Sequence, residues 1–356
     1  MPEINLSALR AAIRKKSFSW EAGETSLSAL SVNDQRARLG LSVNESELAA
    51  TAQAIKAVEA VKALQAAVAA PAAIDWRNNG GNWITPVKDQ SSCGSCVSFA
   101  TVGTLESRVR IACRNAALNI DLSEAHLFYC GCGNCCATGW NFPSALDFCK
   151  NTGVGLDSSF PYTPGNQPCK PGVSPYVKLI SWNAVLGIAD RKDAIATKGP
   201  VVAGLAVYAD FISYSSGVYR RTSNVLRGYH AVSVIGYDDS LQCWIAKNSW
   251  GTGWGEAGFF KIGYGESGID TQFAFYNMEA PCPRPTDTCQ QYLPYLRRVI
   301  LAARSHPGLR ACLRYYVCGV GPRPLCSPVI VGIVRSVLLV LRRCPQYRRP
   351  FCLALQ

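Results

Sequence analysis

The sequence predicts an α+β protein in which a helix-rich half and an antiparallel β half face each other across a cleft. Three observations carry this. The chain up to about Tyr162 alternates helix-compatible apolar patterns with polar turns. From Val177 onward, β-branched runs dominate, among them V-V-A-G-L-A-V, Y-H-A-V-S-V-I-G-Y, C-W-I-A-K-N-S-W and G-F-F-K-I, separated by Gly and Asp turns. Segregated helices and strands leave their shared boundary as the natural ligand site.

In order along the chain, Ile4 to Lys16 reads as a short amphipathic helix. An Arg-bearing turn follows, and Asn44 with Glu47 offers an N-cap and a capping-box acid. The alanine-rich run from Glu45 to Ala70 has strong helix propensity and stops at Pro71. A helix is expected from Cys96, with Val97, Ala100, Leu105 and Val109 on overlapping faces, and another over Ser144–Lys150.

Length and composition fit about two globular domains plus appendages. Charge is unevenly placed. Residues 282–356 hold twelve Arg, no Lys and one acid, Asp287, which is +11 of the net +12. Seventeen cysteines favour an oxidising, extracytoplasmic or secreted setting. The opening residues do not read as a secretory signal, because Arg14, Lys15 and Lys16 follow a weakly apolar stretch.

The chemistry gathers at Pro86–Thr101, P-V-K-D-Q-S-S-C-G-S-C-V-S-F-A-T. Cys96 falls at a helix start, where unpaired N–H groups and the helix dipole favour thiolate over thiol. A nucleophilic thiol needs a base, and imidazole suits neutral pH. Of three histidines, His230 heads an apolar strand, whereas His126 lies in a helical L-S-E-A-H-L-F pattern and reads as a core residue. Asn248, in K-N-S-W-G-T-G-W-G-E, can fix the imidazole tautomer, and the Gln90 amide with the Cys96 N–H can hold an oxyanion.

These residues resemble the papain-like cysteine peptidases. Cys93-Gly94-Ser95-Cys96-Val97 stands where that family has C-G-[SA]-C-[WY], with His230 134 and Asn248 152 residues beyond Cys96. Asp75-Trp76-Arg77 resembles a mature start, and Asn248–Glu256 matches almost letter for letter. The likeness covers residues 74–280 and implies a two-domain, cleft-bearing fold. It also implies peptide hydrolysis through a thiolate–imidazolium pair and an acyl-enzyme, with protein or peptide substrates and no metal or organic cofactor.

By that resemblance Cys96 is the nucleophile, His230 the acid/base, Asn248 the orienter and Gln90 the oxyanion donor, with Trp250 shielding the His–Asn bond at the substrate cleft. Gly139 would pair with substrate backbone. Thr138, standing where a glycine is usual, would narrow that subsite, and Gln272 would supply a polar floor to the neighbouring pocket. Val97 replaces the family's tryptophan and implies altered packing beside the nucleophile. The family's disulfides map onto Cys93–Cys136 and Cys130–Cys169. One further local bridge is expected among Cys132, Cys135 and Cys149; the rival reading of C-x-x-C-C is a zinc site.

The expected domains are a helical propeptide at 1–72, lacking the long helical motif of cathepsin-L-type prosegments, a catalytic domain at 73–281 and a Cys/Arg-rich helical extension at 282–356. In the extension, Arg297, Val299, Leu301, Arg304, Pro307 and Arg310 recur 38 residues later as Arg335, Val337, Leu339, Arg342, Pro345 and Arg348. Such a cationic module can bind an anionic membrane surface or acidic polymer, or be a packing unit with solvated arginines. Its apolar run ending at Leu341 contains Arg335 and is too short to span a bilayer. No nucleic-acid motif or aromatic interleaving points to a specific nucleic-acid partner. Two rivals to a peptidase follow: a catalytically silent binding module, and a membrane-active protein with the extension as effector.

Overall fold

The computed structural model describes residues 5–62, 70–283, 293–343 and 347–355. Two units emerge, 1–282 and 283–356.

In the first unit, α1 (Leu6–Lys15) begins where the Asn5 side chain accepts the Ser7 and Ala8 amides, and its buried face is Leu9 and Ile13. Strand β1 (Glu21–Ala22) and the one-turn α2 (Val32–Arg36) follow. Asn44 caps α3 (Glu45–Lys62) through the Ser46 amide; the expected continuation over 63–69 lies outside the described residues. After β2 (Ala73–Asp75) come α4 (Cys96–Ala112), α5 (Glu124–Gly131) and α6 (Phe142–Asn151). Ser123 and Asn141 cap α5 and α6. Cys96 to Val109 of α4 is buried all round, which makes it the axis of the helical half.

The other half holds β3 (Ser181–Val185), α7 (Ile188–Lys198), β4 (Val201–Tyr208), β5 (Tyr214–Ser216), β6 (Val218–Tyr219), β7 (Leu226–Asp238), β8 (Cys243–Lys247), β9 (Phe259–Gly263) and β10 (Phe275–Glu279). Strand order is β3-β10-β4-β7-β8-β9-β6, with β2 also on β7. All these pairs are antiparallel except β6 with β9. Strand β4 is an unbroken apolar run because it is covered on both faces. One core packs α1, Trp20 and the sheet; a second packs α4, α5 and α6. The cleft lies where the two meet.

Disulfides join Cys93–Cys136 and Cys130–Cys169, and a bridge joins Cys132–Cys135. All three sulfurs of C-x-x-C-C are therefore covalently engaged, which removes the thiolates a zinc site needs. Cys113–Cys282 ties the end of α4 to the last residue of the unit. Cys149 and Cys243 are buried thiols.

The second unit contains α8 (Leu293–Ser305), α9 (Pro307–Tyr316), α10 (Pro328–Arg343) and α11 (Arg348–Leu353), bridged by Cys312–Cys326 and Cys318–Cys352. Its own core includes Leu296, Val299, Leu313, Val337 and Phe351. Each sequence repeat thus yields a pair of helices, not one, because Pro307 starts a new helix at its first turn. Pro345 lies outside the described residues.

Candidate active site

Cys96 opens α4, its entry shaped by Gly94, whose amide donates to the Cys136 carbonyl at 2.8 Å. A side chain on Gly94 would meet that carbonyl at 2.7 Å, so glycine is required there. His230 sits within β7, opposite Leu205 of β4. The β7–β8 pairing, Ser233 against Lys247, brings Asn248 alongside. His230 Nε2 lies 2.7 Å from Asn248 Oδ1. The Ser249 amide donates to the same oxygen at 2.8 Å, so that atom is the acceptor and Nε2 carries the proton. Nδ1 keeps its lone pair and is buried without a hydrogen-bond partner.

Trp250 packs on the imidazole with ring centroids 4.6 Å apart and also against Phe211 and Trp254. It is fully buried. The aromatic cluster encloses it against the imidazole of His230.

The Gln90 side chain is fixed at both ends. Ser249 Oγ donates to Oε1 at 2.6 Å, while Nε2 donates to the carbonyls of Cys93 (2.8 Å) and Arg38 (3.0 Å). The second acceptor comes from the N-terminal segment, which crosses the cleft. Arg38 pairs with Asp89 at 2.6 Å. The Gly40 amide donates to Cys96 Sγ at 3.3 Å. The Trp140 amide donates to the Gly40 carbonyl and Ser42 donates to the Trp140 carbonyl, each at 2.8 Å; Leu41 donates to the Tyr229 carbonyl at 3.2 Å.

Backbone pairing expected at Gly139 is thus taken by Trp140. Gly139 is needed for another reason: it has φ +70°, and a Cβ there would lie 2.2 Å from the Gly40 carbonyl oxygen. Thr138 is exposed. Gln272 is exposed too and only edges a groove of about 140 Å³; the buried neighbour is Phe273. Leu41, Gly204 and Phe273 converge so closely that a Cβ on Gly204 would meet both side chains at 2.6 Å. Gln272 and Phe273 both line the groove that holds Leu41, an exposed polar side chain beside a buried apolar one. Val97 is fully buried in the helical core, in the same packed cluster as Cys96.

Enclosure sets the electrostatics. Burial pushes the Cys96 thiol up to about 11, outweighing backbone donors that include Gly40. Burial likewise holds His230 down to about 4, against the opposing Asn248 bond and the Arg38 backbone carbonyl. The lowered thiol pKa expected from a helix start is not met, because desolvation of the charged form exceeds the helix-end contribution. Beneath Asn248, a buried cavity of about 20 Å³, large enough for one water, is lined by Lys88, Glu106, Glu124 and Lys247. Lys247 donates to Thr85, which donates to Glu106 at 2.5 Å, cross-linking the two halves. His126 accepts the Gly155 amide through Nδ1 at 3.0 Å in the helical core.

Sequence reasoning missed Arg38–Ser42. The available signal was L-G-L, with Gly40 the one glycine between Gly23 and Gly80.

Residues 70–277 match the profile described as papain family cysteine protease. Cysteine proteinase 1 of Entamoeba histolytica is 33% identical over 205 residues, 54% of this chain and 63% of that relative, so the chain spans under two-thirds of its length. Thiol protease aleurain of Arabidopsis thaliana is 35% identical over 276 residues, covering 74% of this chain and 72% of the relative. Among solved structures, digestive procathepsin L2 of Tenebrio molitor is 26% identical with a TM-score of 0.61, over 77% of this chain and 88% of that one. Procathepsin B S9 of Trypanosoma congolense, 20% identical with a TM-score of 0.65 over 79% and 99%, shares the fold. On the breadth of the profile match, and on relatives of this identity, the chain belongs to the papain family of cysteine proteases.

Proposed function

We propose that the chain is a cysteine endopeptidase held latent by its own N-terminal segment. In this reading the Cys96 sulfur attacks a peptide carbonyl while His230 Nδ1 takes the thiol proton. Gln90 Nε2 and the Cys96 N–H stabilise the oxyanion. The C–N bond breaks as imidazolium protonates the departing amine, leaving a thioester. Water, deprotonated by the same imidazole, then releases the acid and restores the thiol. Asn248 holds the tautomer that leaves Nδ1 free.

The observation that carries the latent reading is the occupancy of the cleft. Sγ receives the Gly40 N–H, while the carbonyl on the Gln90 amide belongs to Arg38. Attack needs one peptide unit to present carbon to sulfur and its own oxygen to the amide. Here the two positions hold groups from different peptide units. Residues 1–72 then act as a removable propeptide ahead of the catalytic domain. Passage of a continuous chain on both sides of Gly40 supports an endopeptidase cleft, and the Leu41 pocket supports a preference for an apolar side chain there.

The test compares the full chain with a form cleaved near Ala72, each offered a peptide library under mild reduction. Cleavage should appear on removal of the segment, be absent in Cys96→Ala, and select apolar residues at one position. No cleavage after removal, with Cys96 alkylated readily, would identify a silent binding module instead.

A further inference from the structure

We propose that the second unit docks on anionic lipid bilayers through the loop between α9 and α10, without crossing the membrane. This rests on the geometry of that unit alone and is independent of the peptidase reading.

A groove of about 500 Å³ runs between the end of α8, α9 and this loop, and Arg304, Arg310, Arg314 and Arg323 surround it. Residues 282–356 offer one acid against twelve arginines, a net charge of +11. The loop is held to α9 by Cys312–Cys326. Beside the arginines it presents apolar side chains to solvent: Val320, then Leu325, which is fully exposed, and Val329, 75% exposed at the start of α10.

Charge complementarity demands an anionic partner, and the apolar tip narrows the choice. A soluble polyanion would neutralise the arginines yet leave Leu325 and Val329 in water. An anionic bilayer satisfies both: phosphates lie at the level of the arginines, and acyl chains lie beneath for the tip. No described helix is long and apolar enough to cross a membrane; α10, at 16 residues, extends about 24 Å, short of a hydrocarbon core of about 30 Å. Docking is therefore interfacial.

The test is co-sedimentation of the full chain with vesicles of phosphatidylcholine alone or containing a third phosphatidylserine. The chain should pellet with the anionic vesicles only, and less so in high salt. Arg304→Ala/Arg314→Ala should weaken binding about thirtyfold, from about fivefold per arginine. Leu325→Ser/Val329→Ser should weaken it about tenfold at unchanged circular dichroism. Two outcomes would overturn the proposal. One is equal vesicle binding by a chain truncated after Pro283. The other is wild-type affinity in Leu325→Ser/Val329→Ser while the arginine variant loses binding, which would mark a site for a soluble polyanion.

Discussion

At the scale of single residues, the enclosed thiol and imidazole are both uncharged over a wide pH range. His230 is held neutral down to about pH 4, against an ordinary value of 6.5, and Cys96 up to about pH 11, against 9.0. Releasing the segment restores solvent to both. Between about pH 6.5 and 4 the released imidazole binds a proton that the enclosed one does not, so the closed arrangement weakens as pH falls. Towards alkaline pH the released thiol ionises first, which weakens it again. Protection of the Gly40 and Ser42 amides, taken relative to their intrinsic exchange rate at each pH, should fall between pH 7 and 4.5 in the full chain; constant protection would argue that His230 is not coupled to release. In the segment-free enzyme, Cys96→Ala should lower kcat by about 10⁶, and Gln90→Ala by about 10² to 10³ with little change in KM. Equal losses on KM alone would assign Gln90 to substrate binding.

At the scale of elements, the proposed latency depends on how closely the stretch after α2 can lie on the start of α4. A Cβ on Gly40 would fall 1.9 Å from the Gly94 carbonyl oxygen, with no flexible side chain to yield. Gly40→Val should therefore lift the stretch off Cys96 and raise activity of the uncleaved chain at least tenfold. The segment-free activity should be unaltered, because residue 40 is then absent. The remaining anchors keep the rest of the segment docked: β1 on β5, Trp20 Nε1 donating to the Arg220 carbonyl, and Thr25 Oγ1 to that of Ile212. The second unit shows the same dependence on local contacts. Arg310 donates to the Leu355 carbonyl and Arg348 to that of Val317, positions 38 residues apart in both donor and acceptor. The repeat seen in sequence is thus a repeat of contacts.

At the scale of the whole molecule, the Cys113–Cys282 bridge spans 169 residues and fixes the end of the first unit to its central helix. Long loops gain most from cross-linking in the chain-entropy account, so Cys113→Ser/Cys282→Ser should lower stability by about 2–5 kcal/mol. Denaturant midpoints under non-reducing conditions would measure it, and an unchanged midpoint would mean that packing of α4 already fixes this end. The buried Lys247–Thr85–Glu106 contacts are a second tie between the halves, at the base of the cleft.

The sequence by itself determined the α+β class, because helix-period and strand-period patterns occupy separate stretches. It also marked Gln90, Cys96, His230 and Asn248, whose residue types and motif contexts are local properties. The Asn44 cap was legible for the same reason, whereas the pairings Cys93–Cys136 and Cys130–Cys169 followed from the family resemblance. Tertiary structure decided what those residues face. That Phe273 is buried beside Leu41 while Gln272 stays exposed on the same groove depends on which side of the chain turns inward beside β4. That Trp250 is enclosed depends on Phe211 and His230, brought from distant segments to pack with the nearby Trp254. Above all, the thiol expected to be activated at its helix start is suppressed by burial, which outweighs even the Gly40 N–H donated to it from 56 residues upstream. The dipole at a helix terminus is set locally, but desolvation is set by whatever covers it, and only the folded chain brings that cover into place.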